Sequence, residues 1–324
     1  MTTTLIPITQ QEIFRARRRI VPLVRHTPLV ACPWLSETTG GSVRLKLENQ
    51  QLTGSFKVRG AANKLLSLNA EDKARGVITV STGNHGRGVA YAADQLGISA
   101  WVCLSNNVPQ TKVEAIQRLG AQVEVSGNSY DEAEEQAARL QVTRGLTYVH
   151  PFDDPLVIAG QGTIGLELLE DYPELDTVLV PLSGGGLIAG IALALKSANP
   201  SIRVIGVSME QAPVMVYSLR AGRVLELPEE PTLADALAGG IGKDNRYTFR
   251  MVRQWVDETA LVSEEEIASA MAFALRRHHQ VVEGGGAVGL AALLHRRVSV
   301  AGRQVAVVIS GGNVDVDHLC RIMG

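Results

Sequence analysis

The chain is poor in several things, and each scarcity excludes something. It has three cysteines, Cys32, Cys103 and Cys320, isolated from one another. That excludes a disulfide framework and a cysteine zinc site, and it suits reduced thiols in a cytoplasmic enzyme. Cys103 falls in an apolar run and reads as a buried small hydrophobe. No apolar run is long enough to span a bilayer, so no membrane association is expected, and the N-terminus lacks the charged-then-apolar pattern of a signal peptide. A net charge of −2 gives no electrostatic case for nucleic acid. The arginines at 15–19 are a local cluster with the spacing of a solvated helix face. Low-complexity segments and internal repeats are absent. Lysine is scarce too, with seven against 24 arginines.

What is present describes a sizeable globular protein. At 324 residues, 45% hydrophobic and 20% charged, the chain can bury a large core and is comfortable as two domains. Short β-branched runs alternate with helical stretches. Strands are expected at 77–80, 100–104, 122–125, 147–150, 177–182, 203–207 and 305–310. Helices are expected at 88–96, 111–119, 130–140, 160–170, 185–197 and 264–278. Buried runs alternating with helices indicate mostly parallel sheets covered on both faces, an α/β fold. The expected division is a small domain, 71–153, inserted into a large one made of 1–70 and 154–324. A ligand would sit in the crevice between them, at the carboxyl ends of strands.

One lysine is set among small residues, in Gly54-Ser55-Phe56-Lys57-Val58-Arg59-Gly60-Ala61. A lysine that must lose its proton and attack a carbonyl needs a tight, partly desolvated site, and small neighbours let backbone and cofactor approach. The competing reading is a helix start after a Gly-Ser turn, with Lys57 solvated. Three loops share a design in which a strand ends and small residues follow: 80–86, 181–187 and 309–313. Ser183-Gly184-Gly185-Gly186 is the best anion site, since consecutive glycines turn backbone N–H groups inward and the next helix adds its positive end. It is neither Gly-x-Gly-x-x-Gly nor a P-loop, so a monophosphate fits better than a dinucleotide, although close helix–sheet packing also selects glycine. Residues 81–85 suit a carboxylate, with Asn84 offering an amide, or form a simple helix cap. Ser310 either faces a ligand or caps a turn. Together these features suggest pyridoxal phosphate acting on an amino acid.

At this point the residues match a known family. The chain resembles the fold-type II pyridoxal-phosphate enzymes, two-domain proteins like the tryptophan synthase β chain, and within them the serine/threonine dehydratase and serine racemase group. The matching pieces run in order: His26-Thr27-Pro28-Leu29, Lys46-Leu47-Glu48-Asn49, the lysine octapeptide, 81–88, His150-Pro151-Phe152-Asp153, 158–163, 181–187, Thr232-Leu233-Ala234-Asp235, 283–289 and Ser310-Gly311-Gly312-Asn313. The resemblance implies that Lys57 is the Schiff-base lysine and general base, and that Phe56 packs on the cofactor ring. It implies that Asn84 bonds the ring hydroxyl. Ser183, Gly184, Gly185, Gly186 and Leu187 would hold the phosphate, and Ser310 would face the pyridine nitrogen. Ser81, Thr82, Gly83, Asn84 and His85 would form the substrate carboxylate loop. The implied reaction is β-elimination from a 3-hydroxy amino acid, giving a keto acid and ammonia. A homodimer is also implied.

The departures from the family pattern carry information. Thr82 stands where racemases of the group have a serine acting as acid or base; it keeps a hydroxyl but adds a methyl. Ser208 and Val214 occupy positions where the group carries acidic metal ligands, and Glu210 is out of register, so no metal site is expected. Residues 236–247 resemble hydroxyectoine-utilisation dehydratases, which implies a substrate like 3-hydroxyaspartate or an N-substituted hydroxy-diamino acid. Arg87, where the group often has glutamine, either binds a second carboxylate or is a surface arginine. Lys243 is a weaker candidate for that role. The sequence runs eleven residues past Asn313, too few for a regulatory domain, so feedback by isoleucine is not expected. An amino-acid racemase and a non-catalytic cofactor-binding protein remain alternatives.

Overall fold

The computed structural model describes residues 8–81, 83–106, 108, 110–128 and 130–323. Among them the strands are β1 (Leu29–Ala31), β2 (Ser42–Leu47), β3 (Val77–Val80), β4 (Ala100–Leu104), β5 (Gln122–Val125), β6 (Thr147–Tyr148), β7 (Thr177–Pro181), β8 (Arg203–Met209), β9 (Glu258–Val262) and β10 (Gln304–Ile309). The first seven helices are α1 (Gln10–Ile20), α2 (Pro33–Thr39), α3 (Lys57–Leu66), α4 (Ala70–Arg75), α5 (Asn84–Leu96), α6 (Gln110–Gln117) and α7 (Tyr130–Arg144). The rest are α8 (Pro155–Asp171), α9 (Gly186–Ala198), α10 (Val214–Ala221), α11 (Thr248–Trp255), α12 (Glu264–His278), α13 (Gly284–Leu294) and α14 (Val316–Met323).

The strands form two sheets. One has six strands in the order β1-β2-β10-β7-β8-β9, parallel except for the antiparallel β1–β2 pair. The other has four parallel strands in the order β5-β4-β3-β6. Every residue of β3 and β7 is buried, which is why their sequences are unbroken apolar runs rather than alternating ones. Edge strand β5 is partly exposed along its whole length and carries Gln122 and Glu124. Helices α8 and α9 cover one face of the larger sheet and α12 and α13 the other, each burying its own aliphatic cluster.

Helix α3 carries Lys57 and is held from several sides. A Cβ on Gly60 would lie 2.9 Å from the Val157 carbonyl, and one on Gly160 2.5 Å from the Arg59 carbonyl. Glycine at both positions is what lets α3 and α8 touch backbone to backbone. Arg59 is completely buried and donates to Glu48 on one side (2.8 and 2.8 Å) and Glu167 on the other (2.6 and 2.9 Å). Lys46, also fully buried, reaches Glu167 at 2.7 Å. Paired buried charges of this kind tie β2, α3 and α8 into one block.

Several element bounds differ from the sequence reading. The helix expected from 88 begins at Asn84, so it opens inside the small-residue loop itself. The helix expected from 160 begins at Pro155, because Asp154 caps it through the amides of Leu156 (2.8 Å) and Val157 (3.1 Å). The strand expected to reach 150 stops at Tyr148, since His150 turns out to accept backbone N–H groups of residues 152 and 153. Cys103 is buried as expected.

Candidate active site

A cleft of about 1080 Å³ collects the loops that follow strands β3, β6, β7 and β10. All four contribute from their carboxyl ends, the usual place for a ligand in open α/β sheets. Lys57, Phe56, Ser81, Gly83, Asn84, His85, Arg87, Ser183, Gly184, Gly185, Gly186, Leu187 and Ser310 all line it. Thr82 lies outside the described residues.

Lys57 is the first residue of α3 and is half-buried, so the solvated reading does not hold. The chain before it is pinned to the end of β10: the Phe56 amide donates to the Ser310 carbonyl at 3.0 Å. The Lys57 ammonium donates to the Pro151 carbonyl at 2.9 Å and stands 5.3 Å from the centroid of the Phe56 ring. Desolvation lowers its pKa to about 8, with the Glu283 carboxylate pulling the other way. About one lysine in ten is then neutral at pH 7, against fewer than about one in a thousand for an ordinary lysine.

The glycine loop joins β7 to α9. Gly185 takes φ +86°, the left-handed region. A Cβ on Gly184 would fall 2.5 Å from the Phe152 ring, and one on Gly186 2.8 Å from the Phe152 carbonyl. The loop is therefore a bare backbone cradle at the positive end of α9. Ser183 donates its hydroxyl to the Leu237 carbonyl at 2.8 Å, tying the loop to the 236–242 segment. Ser310 is buried, with its hydroxyl 3.5 Å from the Gly285 carbonyl, at the outer limit of a hydrogen bond.

Asn84 opens α5. Its amide nitrogen donates to Glu283 at 2.6 Å and its amide oxygen accepts from Asn313 at 2.6 Å. His85 is buried, and its Nε2 lies 2.9 Å from the Val149 carbonyl, so the ring is the Nε2–H tautomer with Nδ1 bare and unpartnered. Desolvation and then the nearby Lys57 lower its pKa to about 3. Arg87 lies on the cleft wall, half-buried, instead of on an outer helix surface. Its Nε has no hydrogen-bond partner, and it forms no ion pair among the described residues. Desolvation lowers its pKa, partly opposed by Glu283. Lys243 also lines the cleft but pairs with Glu226 at 2.9 Å and is largely exposed.

Four side chains matter here that the sequence reading gave no role. Glu283 and Asn313 grip Asn84 from both sides. His150 accepts the amides of Phe152 (3.2 Å) and Asp153 (2.8 Å). Burial lowers its pKa to about 4, so the ring beside Lys57 is neutral. Asp153 accepts three backbone amides at the start of α11. All four sit in motifs that carry the family resemblance, which was the one signal available for them. Of the two positions compared with metal ligands by resemblance, Ser208 is buried in β8 against the Met209 sulfur, and Val214 opens α10, buried. Among the described residues no group of three His, Cys, Asp or Glu is placed to hold a metal.

The residues fit pyridoxal phosphate. A cradle that any Cβ would fill suits a phosphate, and a lysine held near pKa 8 suits imine formation with an aldehyde. A parallel two-sheet α/β fold with this cleft defines the fold-type II pyridoxal-phosphate enzymes. The chain belongs to the pyridoxal-phosphate dependent enzyme family, whose model matches residues 20–311. It is 49% identical to L-threonine ammonia-lyase of Thermotoga maritima over 316 residues, 98% of this chain and 78% of that protein. It is 40% identical to the catabolic L-threonine dehydratase TdcB of Escherichia coli K12, over 98% and 97% of the two chains. The solved structure of maize serine racemase superposes with a TM-score of 0.92 at 37% identity, covering 98% of this chain and 97% of that one.

Proposed function

We propose that the protein is an ammonia-lyase acting on a 3-hydroxy amino acid: the β-hydroxyl leaves as water, water adds back as the resulting imine hydrolyses, and the net products are a keto acid and ammonia. The observation that carries this reading is Lys57: a half-buried lysine with pKa about 8, opening onto a glycine cradle and a polar loop. The names of the relatives agree with it, since they are threonine ammonia-lyases and dehydratases.

Position in the cleft supports the following roles. The amides of Ser183–Leu187 and the start of α9 would hold the cofactor phosphate, and Phe56 would pack on its ring. Asn84, oriented by Glu283 and Asn313, would meet the ring hydroxyl. Ser310 would face the ring nitrogen with a hydroxyl and not a carboxylate, which would not hold that nitrogen protonated and would favour loss of a β-substituent over transamination. When bound, the cofactor supplies an aldehyde for the substrate amine and an electron sink for the α-carbon. Lys57, as a neutral amine beside the substrate, would take the α-proton. Its low pKa keeps a usable neutral fraction near pH 7. The loop at 81–85 orients the α-carboxylate. Residues 71–153 act as a small domain against a large one made of 1–70 and 154–324, and the working unit is a cytoplasmic homodimer.

Arg87 supports a finer reading. A half-buried guanidinium with no ion pair among the described residues asks for an anion from the ligand. The preferred substrate then carries a second carboxylate, as in 3-hydroxyaspartate or another dicarboxylic amino acid derived from hydroxyectoine. A screen of serine, threonine, both 3-hydroxyaspartate diastereomers and hydroxyectoine-derived acids, scored by ammonia and keto-acid release, tests both levels. No release from any of them defeats the ammonia-lyase reading; release from threonine with none from the dicarboxylates defeats the finer one. Lys57→Ala with undiminished turnover would defeat the assignment of the base.

A further inference from the structure

Three consecutive residues after β6 touch three different parts of the site. The Pro151 carbonyl accepts from the Lys57 ammonium at 2.9 Å. The Phe152 ring and carbonyl occupy the space that side chains at Gly184 and Gly186 would need. The Asp153 carboxylate accepts the amide of Arg246 at 2.6 Å on Oδ2, and those of Tyr247 (2.9 Å) and Thr248 (2.8 Å) on Oδ1. Those amides are the free donors at the start of α11, so Asp153 caps that helix from 95 residues away.

Helix α11 in turn backs the glycine cradle. A Cβ on Gly185 would lie 3.1 Å from Thr248 Cβ and 3.0 Å from a Val252 methyl, both on α11. Gly185 is thus walled by α11 together with the Met215 methyl of α10 at 2.9 Å, while Gly184 and Gly186 are walled by Phe152, the residue before Asp153. One carboxylate joins the two walls. Its neighbour Asp154 anchors the other end of the strap, capping α8 and pairing with Lys64 at 2.6 Å.

We propose that Asp153 is a positioning residue for phosphate recognition: by pinning the start of α11 to the strap at 151–153, it sets the shape of the Ser183–Leu187 cradle. The inference rests on the reading of that loop as the phosphate site. Charge alone points the other way. Asp153 lines the same cleft, and an anion there repels phosphate, so neutralising it should tighten binding. The positioning role gives the opposite sign. Asparagine at 153 keeps an oxygen for two amides but turns an N–H₂ toward at least one donor it used to accept, and the walls separate.

The test is Asp153→Asn in the full-length apoprotein, with dissociation constants for pyridoxal phosphate and for pyridoxal, which lacks the phosphate, read from cofactor absorbance. Wild type should prefer pyridoxal phosphate strongly. The variant should bind pyridoxal phosphate about tenfold more weakly and pyridoxal unchanged within about twofold, as expected for weakened charge-assisted hydrogen bonds behind one subsite. Asp153→Glu, which keeps the carboxylate, should recover part of the loss. Equal weakening of both ligands would assign Asp153 to general folding, and unchanged or tighter pyridoxal phosphate binding would remove the positioning role; either overturns the proposal. No phosphate preference in wild type would instead overturn the reading of the loop, and the proposal with it. If Asp153→Asn does not fold, Thr248→Gly, which removes the side chain standing against Gly185, must show the same selective loss or the proposal fails.

Discussion

Asn313 donates its side-chain amide to the amide oxygen of Asn84 at 2.6 Å, joining residues 229 positions apart in the chain. The same nitrogen donates to the Thr53 carbonyl at 2.8 Å, and Glu283 takes the Asn84 nitrogen. The first residue of α5, the loop after β10 and the cap of α13 are thereby joined at one amide. Because Glu283 also raises the pKa of Lys57, one carboxylate sets both the aim of Asn84 and the protonation of the lysine.

Glu283→Gln should therefore lower the Lys57 pKa below its value of about 8, since removing a nearby anion disfavours the ammonium. The pH dependence of borohydride trapping of pyridoxal phosphate on Lys57, followed by mass spectrometry of the labelled peptide, reads this directly. The midpoint should move to lower pH. A midpoint that stays put or rises would mean that Glu283 does not act on the lysine.

Arg87→Gln should change selectivity rather than overall competence. The kcat/KM for 3-hydroxyaspartate should fall about 10- to 100-fold, the scale of losing a charge-assisted contact to a carboxylate. For threonine it should stay within about threefold. A parallel fall on both substrates would assign Arg87 to the shape of the cleft.

Arg59→Met should cost about 3–5 kcal/mol of apoprotein stability, because Glu48 is then left buried without its cation and Glu167 keeps only Lys46. Urea unfolding of the apoprotein measures it. Adding Glu48→Gln to that variant should restore part of the loss. If the double variant is less stable than the single one, the cost lies in packing and not in unpaired charge.

His85 should make the apoprotein acid-labile. Its folded pKa of about 3 lies below the ordinary value of 6.5, so between those limits the unfolded chain binds the extra proton. Stability then falls as pH falls from 6.5 toward 3, by up to about 1.4 kcal/mol per pH unit for this group. His150, lowered to about 4, acts in the same direction. Urea midpoints at pH 7 and pH 5 should show the drop, and His85→Gln should reduce it by the share of one proton.

Much of the architecture is legible in the sequence because its causes are local. Strands β3 and β7, buried on both faces, must be apolar at every position, and their runs are unbroken. The lysine octapeptide and the glycine run stand out since few purposes require a bare backbone. The start of α5 was not readable in this way: Gly86 argues against helix, and the close approach there, where a Cβ would sit 2.5 Å from the Ser81 carbonyl, requires it. The turn at His150 was equally hidden, because an imidazole accepting two amides looks in sequence like one more strand residue.

By itself the sequence determined the α/β class and the small-residue motifs that line the cleft with Lys57, since periodicity and backbone-permissive motifs are properties of short segments; the cofactor family rests on motifs matched in order along the chain. Tertiary structure alone decided what those residues experience. The Lys57 pKa near 8 comes from burial and from a carboxylate 226 positions away. The bare Nδ1 of His85, and an Arg87 with no ion pair among the described residues, arise from what the fold places beside them. Desolvation and long-range hydrogen bonding depend on neighbours brought together across the chain, and no local pattern records who those neighbours are.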